Sequence, residues 1–283
     1  MRISHNISAM NTYRQYNANA IATNKSMEKL SSGSRINRAA DDAAGLSISE
    51  KMRSQIRGLT QATRNAQDGI SLLQTAEGAL TEVSDMLIRL KELAVQVQNG
   101  TYSSDDKANI GAEMKALGTA ITGIYKNTKF NGIHVFGDIA TDSDDAAITS
   151  SSGTAIAIKY GEDGSQTVSI DIATVDDLAA LTAATSGADS DPTAVTVDLV
   201  ENAITEVNTT RAGYGALQNQ LEHASNNMAT TKENLQAAES RVRDVDMAEE
   251  MMEYTKNSIL LQAAQSMLAQ ANAQPQGVLQ LLR

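Results

Sequence analysis

The chain has 283 residues, 41% of them hydrophobic but only 3% aromatic, with no tryptophan and no cysteine. The missing cysteines exclude disulfide scaffolds, thiolate metal sites and cysteine nucleophiles, and the shortage of aromatics points to helices packed by Ala, Leu and Met rather than a core built on large rings. The net charge of −11 sits almost wholly between Asp138 and Glu201, where thirteen acidic residues accompany one basic residue, Lys159, so acidity belongs to a solvated middle segment.

No basic tract interleaved with aromatics points to nucleic acid. No run approaches the ~18 apolar residues of a membrane span. Met1-Arg2-Ile3-Ser4-His5-Asn6 lacks the apolar core of a secretory signal, which by composition alone reads as cytoplasmic.

Residues 3 to 30 carry Ile3, Ile7, Met10, Tyr13, Ile21, Met27 and Leu30 at helical spacing, but the stripe is thin and broken around Arg14 and Asn17. Such a helix is marginal alone. Ser31-Ser32-Gly33-Ser34 reads as a break, and Asn37 or Asp41-Asp42 can cap the next helix. From Ile48 to Val97 the three-four steps run through Met52, Gln55, Leu59, Ala62, Ala66, Gly69, Leu73, Ala76, Leu80, Val83, Leu87, Leu90 and Ala94, without a proline. A 3.5-residue repeat held this long predicts a helix seam that needs a partner of comparable length.

Asn99-Gly100 is a helix stop. After Ser103-Ser104-Asp105-Asp106 a shorter helix carries Ile110, Met114, Leu117, Ile121 and Ile124, closed by the turn residues Phe130-Asn131-Gly132. In the acidic middle, Thr154 to Tyr160 and Gln166 to Ile172 alternate apolar and polar residues around Gly161-Glu162-Asp163-Gly164, which predicts a β-hairpin, the one strand-like region. Asp176 to Leu181 adds a short helix, and Pro192 ends the excursion.

The partner seam comes next, at Val200, Ala203, Val207, Thr210, Tyr214, Leu217, Leu221, Ala224, Met228, Thr231, Leu235, Ala238, Val242 and Val245. It loses phase at Glu249. There a broader stripe begins, with Met251, Met252, Ile259, Leu260, Leu261, Met267 and Leu268, and Pro275 and Gly277 limit this last helix. The expected fold is mainly α: a long antiparallel helical bundle or coiled coil with one small β-hairpin excursion.

Little here suggests catalysis. His5, His134 and His223 are scattered, none with a second histidine one helical turn away, so no zinc site is expected. The adjacent carboxylates Asp41-Asp42 and Asp144-Asp145 suit capping or solvation, because neighbours on a helix do not face each other. Asn99-Gly100-Thr101 matches a glycosylation triplet, a pattern that arises often by chance. No cofactor is implied. The thin first helix and the exposed last one fit elements ordered by packing against copies of the chain. Arg53, Arg57 and Arg64 opposite Glu222, Glu233, Glu239 and Asp244 are either part of such contacts or solvated faces.

Several motifs carry a family resemblance. Leu30-Ser31-Ser32-Gly33-Ser34-Arg35-Ile36-Asn37, followed by Ala39-Ala40-Asp41-Asp42-Ala43-Ala44-Gly45-Leu46, resembles the N-terminal signature of bacterial flagellin. So do Gln55-Ile56-Arg57-Gly58-Leu59, Arg64-Asn65-Ala66-Gln67-Asp68-Gly69 and, towards the C-terminus, Arg211-Ala212-Gly213-Tyr214-Gly215, Arg241-Val242-Arg243-Asp244-Val245-Asp246-Met247-Ala248 and Leu281-Leu282-Arg283. The likeness covers roughly residues 1–137 and 195–283.

The resemblance implies a non-enzymatic subunit that polymerises into the tubular flagellar filament. Residues 1–43 and 247–283 would be inner-tube helices, 44–137 and 195–246 outer-tube helices, and 138–194 a short variable segment in place of large outer domains. The self-assembly and chaperone stripe would be Ile3, Ile7, Met10, Ile21, Met251, Met252, Ile259, Leu260, Met267 and Leu268. It further implies an extracellular filament, export without a cleaved signal, a cytoplasmic export chaperone on the C-terminal helix, and cap and hook-junction partners. A Toll-like receptor surface would fall at Arg89, Leu93 and Glu113, where a Gln common in recognised relatives is replaced by Ile88 and an Arg by Lys91. The alternative within the superfamily is a hook–filament junction protein.

Overall fold

The structure, a computed structural model, describes residues 6–136, 156–161, 165–170, 176–186 and 195–281. Its elements are α1 (Ile7–Ser32), α2 (Ala43–Gln98), α3 (Ser104–Asn127), β1 (Lys129–Phe130), β2 (Ile133–His134), β3 (Ile156–Lys159), β4 (Thr167–Ile170), α4 (Asp176–Ser186), α5 (Val197–Arg243) and α6 (Met247–Leu281). They fall into two compact units, one of Met1–Ile56 with Glu233–Arg283, the other Arg57–Lys232.

Helix ends follow local chemistry. The Asn6 side-chain oxygen accepts from the Ala9 N–H at 3.0 Å to start α1, and Gly33, at φ 70°, ends it in the left-handed conformation that glycine adopts without a Cβ penalty. Of the cap candidates before α2, Asp42 takes the Gly45 N–H at 2.9 Å, whereas Asp41 pairs with Lys25 at 2.8 Å. A reciprocal capping box between Ser103 and Asp106 starts α3. Asp246 accepts from the Ala248 and Glu249 N–H groups to start α6.

In the first unit α1 and α6 lie antiparallel: Lys29 meets Glu250 at 3.0 Å near one end, and Asn6 meets Ala271 at 2.8 Å near the other. The loop after α1 is stitched to the end of α5. Arg35 N–H donates to the Arg243 carbonyl, Val245 N–H donates to that of Gly33, and the Arg35 guanidinium donates to that of Val242. These bonds satisfy carbonyls that a helix end leaves open. Here α2 and α5 are joined by Glu50–Arg243 at 2.7 Å and Arg53–Glu239 at 3.6 Å, which settles part of the charge pattern as pairing within the chain.

Ile48, expected to open the long seam, is half exposed. Gly45 and Ser49 take the buried positions at this end, because Ile36 from the preceding loop fills the space: a Cβ on Gly45 would stand 2.8 Å from the Ile36 methyl.

In the second unit every seam position from Leu59 to Val97 is buried, and Val200, Ala203, Val207, Tyr214, Leu221 and Met228 answer from α5. The helices are antiparallel, as Glu77–Gln218 at 3.1 Å and Lys91–Glu201 at 2.7 Å show. Coverage fades beyond Met228: Thr231 is exposed, and in the first unit Leu235, Ala238, Val242 and Val245 are only half-buried.

Two short hairpins are present among the described residues, not one. The expected β3–β4 pair forms with Ile156 opposite Ile170 and Lys159 opposite Thr167, while residues 154–155, 162–164 and 171–172 of that expectation lie outside the described residues. The second hairpin is β1–β2, turned by Asn131 (φ 48°) and Gly132 (φ 81°), two positive φ values that Asn-Gly supplies readily. Gly69 lets Ile158 of β3 press onto α2. The short helix expected to end near Leu181 runs to Ser186. It packs on α3, where Gly118 leaves room for Thr185, and the Glu206 carboxylate of α5 accepts its Leu178 N–H at 3.2 Å. Tyr125 stacks on Phe136 at a centroid distance of 4.6 Å.

The limit expected at Pro275 is also corrected, since α6 continues to Leu281. Proline removes one N–H from a helix ladder. The carbonyl this would leave open, that of Ala271, accepts instead from the Asn6 side-chain amide.

Candidate functional site

The α1–α6 pair has an unusual distribution of side chains. Its inner face is made of small and polar residues: Thr23 and Ser26 on α1, and Glu250, Asn257 and Ala271 on α6, are all buried. Most of its large apolar residues are exposed, with 73% for Ile7, 67% for Met10, 69% for Ile21, 68% for Met252, 60% for Ile259 and 59% for Met267, while Leu30 and Leu261 are half-buried. Met251 and Leu260 are exposed too, Leu268 is half-buried, and Ile3 lies outside the described residues. A helix pair inside a soluble core would show the reverse pattern. So many exposed large apolar residues on one helix pair suit a contact with another macromolecule.

Sequence reasoning found the apolar stripe but not the residues behind it. Their signal was available: Glu250, Asn257 and Ala271 recur on one face at heptad spacing. Lys29 and Glu250 close one end of this face as a largely covered ion pair.

Elsewhere the sequence-based candidates separate. Arg89 donates from Nε and Nη2 to the Glu113 carboxylate at 3.1 and 2.9 Å, and from Nη1 to Glu92 at 2.8 Å. The hydrogen bonds to Glu92 and Glu113 hold its guanidinium above its ordinary pKa. Leu93, by contrast, is buried. His134 lies on β2, and His223 is exposed on α5. Among the described residues no group of three or more His, Cys, Asp or Glu side chains is placed to hold a metal ion, and no helix is long and apolar enough to cross a membrane. An open cleft of about 540 Å³ between α2, β1–β2 and β3 is lined by Gly69, Leu72, Phe130 and Ile158, with Asp68 and Lys159 as its charged residues. That lining has no paired carboxylates and no nucleophile–base couple.

Helices dominate the described residues, and a terminal pair that hides polar groups while presenting large apolar ones fits the class of self-assembling structural proteins. The profile of the bacterial flagellin N-terminal helical region matches residues 3–141, and that of the bacterial flagellin C-terminal helical region matches residues 197–282. A flagellin of Bacillus subtilis (strain 168) is 49% identical, with the whole of both chains covered. A flagellar filament 33 kDa core protein of Treponema phagedenis is 45% identical over the same full coverage. The crystal structure of Bacillus cereus flagellin, 29% identical, superimposes with a TM-score of 0.45, covering 58% of this chain and 88% of that one. The chain belongs to the bacterial flagellin family.

Proposed function

We propose that this chain is the structural subunit of the flagellar filament, self-assembling through the outward apolar faces of α1 and α6 into a helical tube that serves swimming motility outside the cell. Flagellin is a structural family, and full-length likeness to filament proteins favours this reading over a hook–filament junction protein. One observation carries the mechanism: the terminal pair buries Thr23, Ser26 and Asn257 while exposing Ile7, Ile21, Met252 and Ile259. Packing copies against that face removes apolar surface from water, at about 25 cal/mol per Å². Deleting residues 1–30 or 250–283 should leave a soluble helical protein that forms no tubes in electron micrographs. Tubes from either truncated chain would sink the model, and short caps or rings from the intact chain would favour the junction reading.

Finer partners follow from the same face. An export chaperone would cover Met251 to Leu268 before assembly, shielding the stripe while the chain leaves the cell without a cleaved signal. Protection of those amides from hydrogen exchange on adding the chaperone tests this, and unchanged exchange refutes it. The cap and hook-junction proteins would meet the same surfaces at the filament's ends; removing the stripe should abolish their binding, and retained binding would count against it. A host Toll-like receptor would meet the Arg89–Glu113 surface, the buried Leu93 being out of its direct reach. Arg89→Glu should then weaken receptor binding without lowering helical content; equal binding would remove the assignment.

A further inference from the structure

We infer that Asn6 is the residue that sets the register of α1 along α6, by supplying a hydrogen bond to the helix carbonyl that Pro275 leaves open. The inference rests on the filament reading above, because register decides which apolar side chains of the two helices stand together on the assembling face.

The chemistry is specific. Residue 275 has no N–H, so the Ala271 carbonyl four residues earlier lacks its usual partner within α6. The helix nevertheless continues to Leu281. Asn6 Nδ2 donates to that carbonyl at 2.8 Å, while Asn6 Oδ1 accepts from the Ala9 N–H at 3.0 Å and caps α1. A carbonyl can only accept and a backbone N–H can only donate, so one orientation of the amide serves both helices. Ser and Asp cap helices as well as Asn does, but ionised Asp has no donor, and Ser has one short hydroxyl in place of two separate arms, so it does not reach both helices at once.

The inner face needs such a pin. Thr23 and Ser26 are small, and a face with few large interlocking side chains draws less of its alignment from packing. A slip of one residue moves a helix by about 1.5 Å, enough to take the Ala271 oxygen out of reach of Asn6. At the far end Lys29–Glu250 is a second contact, but between long side chains that can follow a shift.

The test is a double-mutant cycle in the full-length chain: wild type, Asn6→Ser, Pro275→Ala and both together. Asn6→Ser keeps the cap on α1, loses the amide donor and adds no charge. With Pro275 present it should raise the critical concentration for seeded assembly about tenfold, the effect of leaving a covered acceptor unpaired. With Pro275→Ala, residue 275 supplies its own N–H to Ala271, and the same substitution should cost about twofold or less. The cycle is also read by amide hydrogen exchange across α1 in the unassembled chain, which reports the coupling whether or not tubes form. A cost of Asn6→Ser that is equal in both backgrounds, or absent with Pro275 present, overturns the inference. A residue serving only as an α1 cap would show little cost in either background, since Ser keeps that cap. Wild-type chain that never assembles would instead count against the filament reading.

Discussion

Two glycines of α3 should respond to the same substitution with opposite signs. A Cβ added at Gly118 would stand 2.8 Å from Thr185 Cβ and closer still to Thr185 Oγ1, while one added at Gly123 meets nothing within 4 Å. Gly→Ala in a helix interior gains about 1 kcal/mol from backbone entropy. At Gly123 that gain stands alone. At Gly118 it is opposed by overpacking, about 1–3 kcal/mol, and the closeness of Thr185 places it at the upper end. The loss is bounded by complete undocking of α4, which would expose Leu178 and Leu181 at a cost of about 3–6 kcal/mol. A net loss of about 2 kcal/mol, at ~2–4 °C per kcal/mol for a unit of this size, lowers Tm by about 4–8 °C. Gly123→Ala should raise it by about 2–4 °C. Circular dichroism melting of the unassembled chain reads both. Adding Thr185→Gly to Gly118→Ala should recover part of the loss. If Gly118→Ala melts as high as Gly123→Ala, α4 is not seated on α3 as described.

Other outcomes follow from single groups. Ser103→Ala removes one side of the α3 capping box and should cost about 1 kcal/mol, with Ser103→Asp restoring it in urea unfolding. The hydrogen bond from Lys25, followed by that from the Arg38 N–H, holds Asp41 below the ordinary carboxylate range. Its contribution to stability is therefore complete above the unfolded value and lost as pH falls through the lower folded one. Melting of wild type and Asp41→Asn should differ at neutral pH and converge in acid; a gap that persists in acid would show that ionisation of Asp41 is not its source. Burial, then the nearby Tyr214 and Glu206, push the Tyr125 phenol well above its usual value. That stabilisation is present below pH ~10 and is lost as pH rises beyond it. Tyr125→Phe should flatten the alkaline fall in Tm, and an unchanged slope would contradict the assignment.

The long seams were readable because a 3.5-residue repeat survives over many turns, and burial from Leu59 to Val97 follows it position by position. The phase slipped at Ile48 because a distant residue, Ile36, fills the space over Gly45; periodicity along one helix cannot report a loop folded onto it. The β1–β2 hairpin was missed since strands of two residues are too short to alternate, although Asn131-Gly132 carried the turn. Pro275 reads locally as the end of the last helix. In the structure the freed Ala271 carbonyl has a donor 265 residues away in sequence, which no local rule can supply. At the candidate site the apolar stripes of both terminal helices were legible and read as faces for packing against copies of the chain, but the residues behind them were not. That Thr23, Ser26 and Asn257 occupy the inner side is a fact of pairing rather than of either helix alone.

The most direct measurement replaces one outward residue and reads two quantities on the same sample: the critical concentration for assembly and the Tm of the unassembled chain. Ile259 is 60% exposed, so covering it in a filament is worth about 1–2 kcal/mol of the 1.5–3 kcal/mol for a whole side chain. Ile259→Ser should raise the critical concentration about 5- to 30-fold and leave Tm within about 1 °C, because little of the side chain packs inside the chain. Unchanged assembly together with a lowered Tm would contradict the account, placing Ile259 in the subunit's own core and the filament contacts elsewhere.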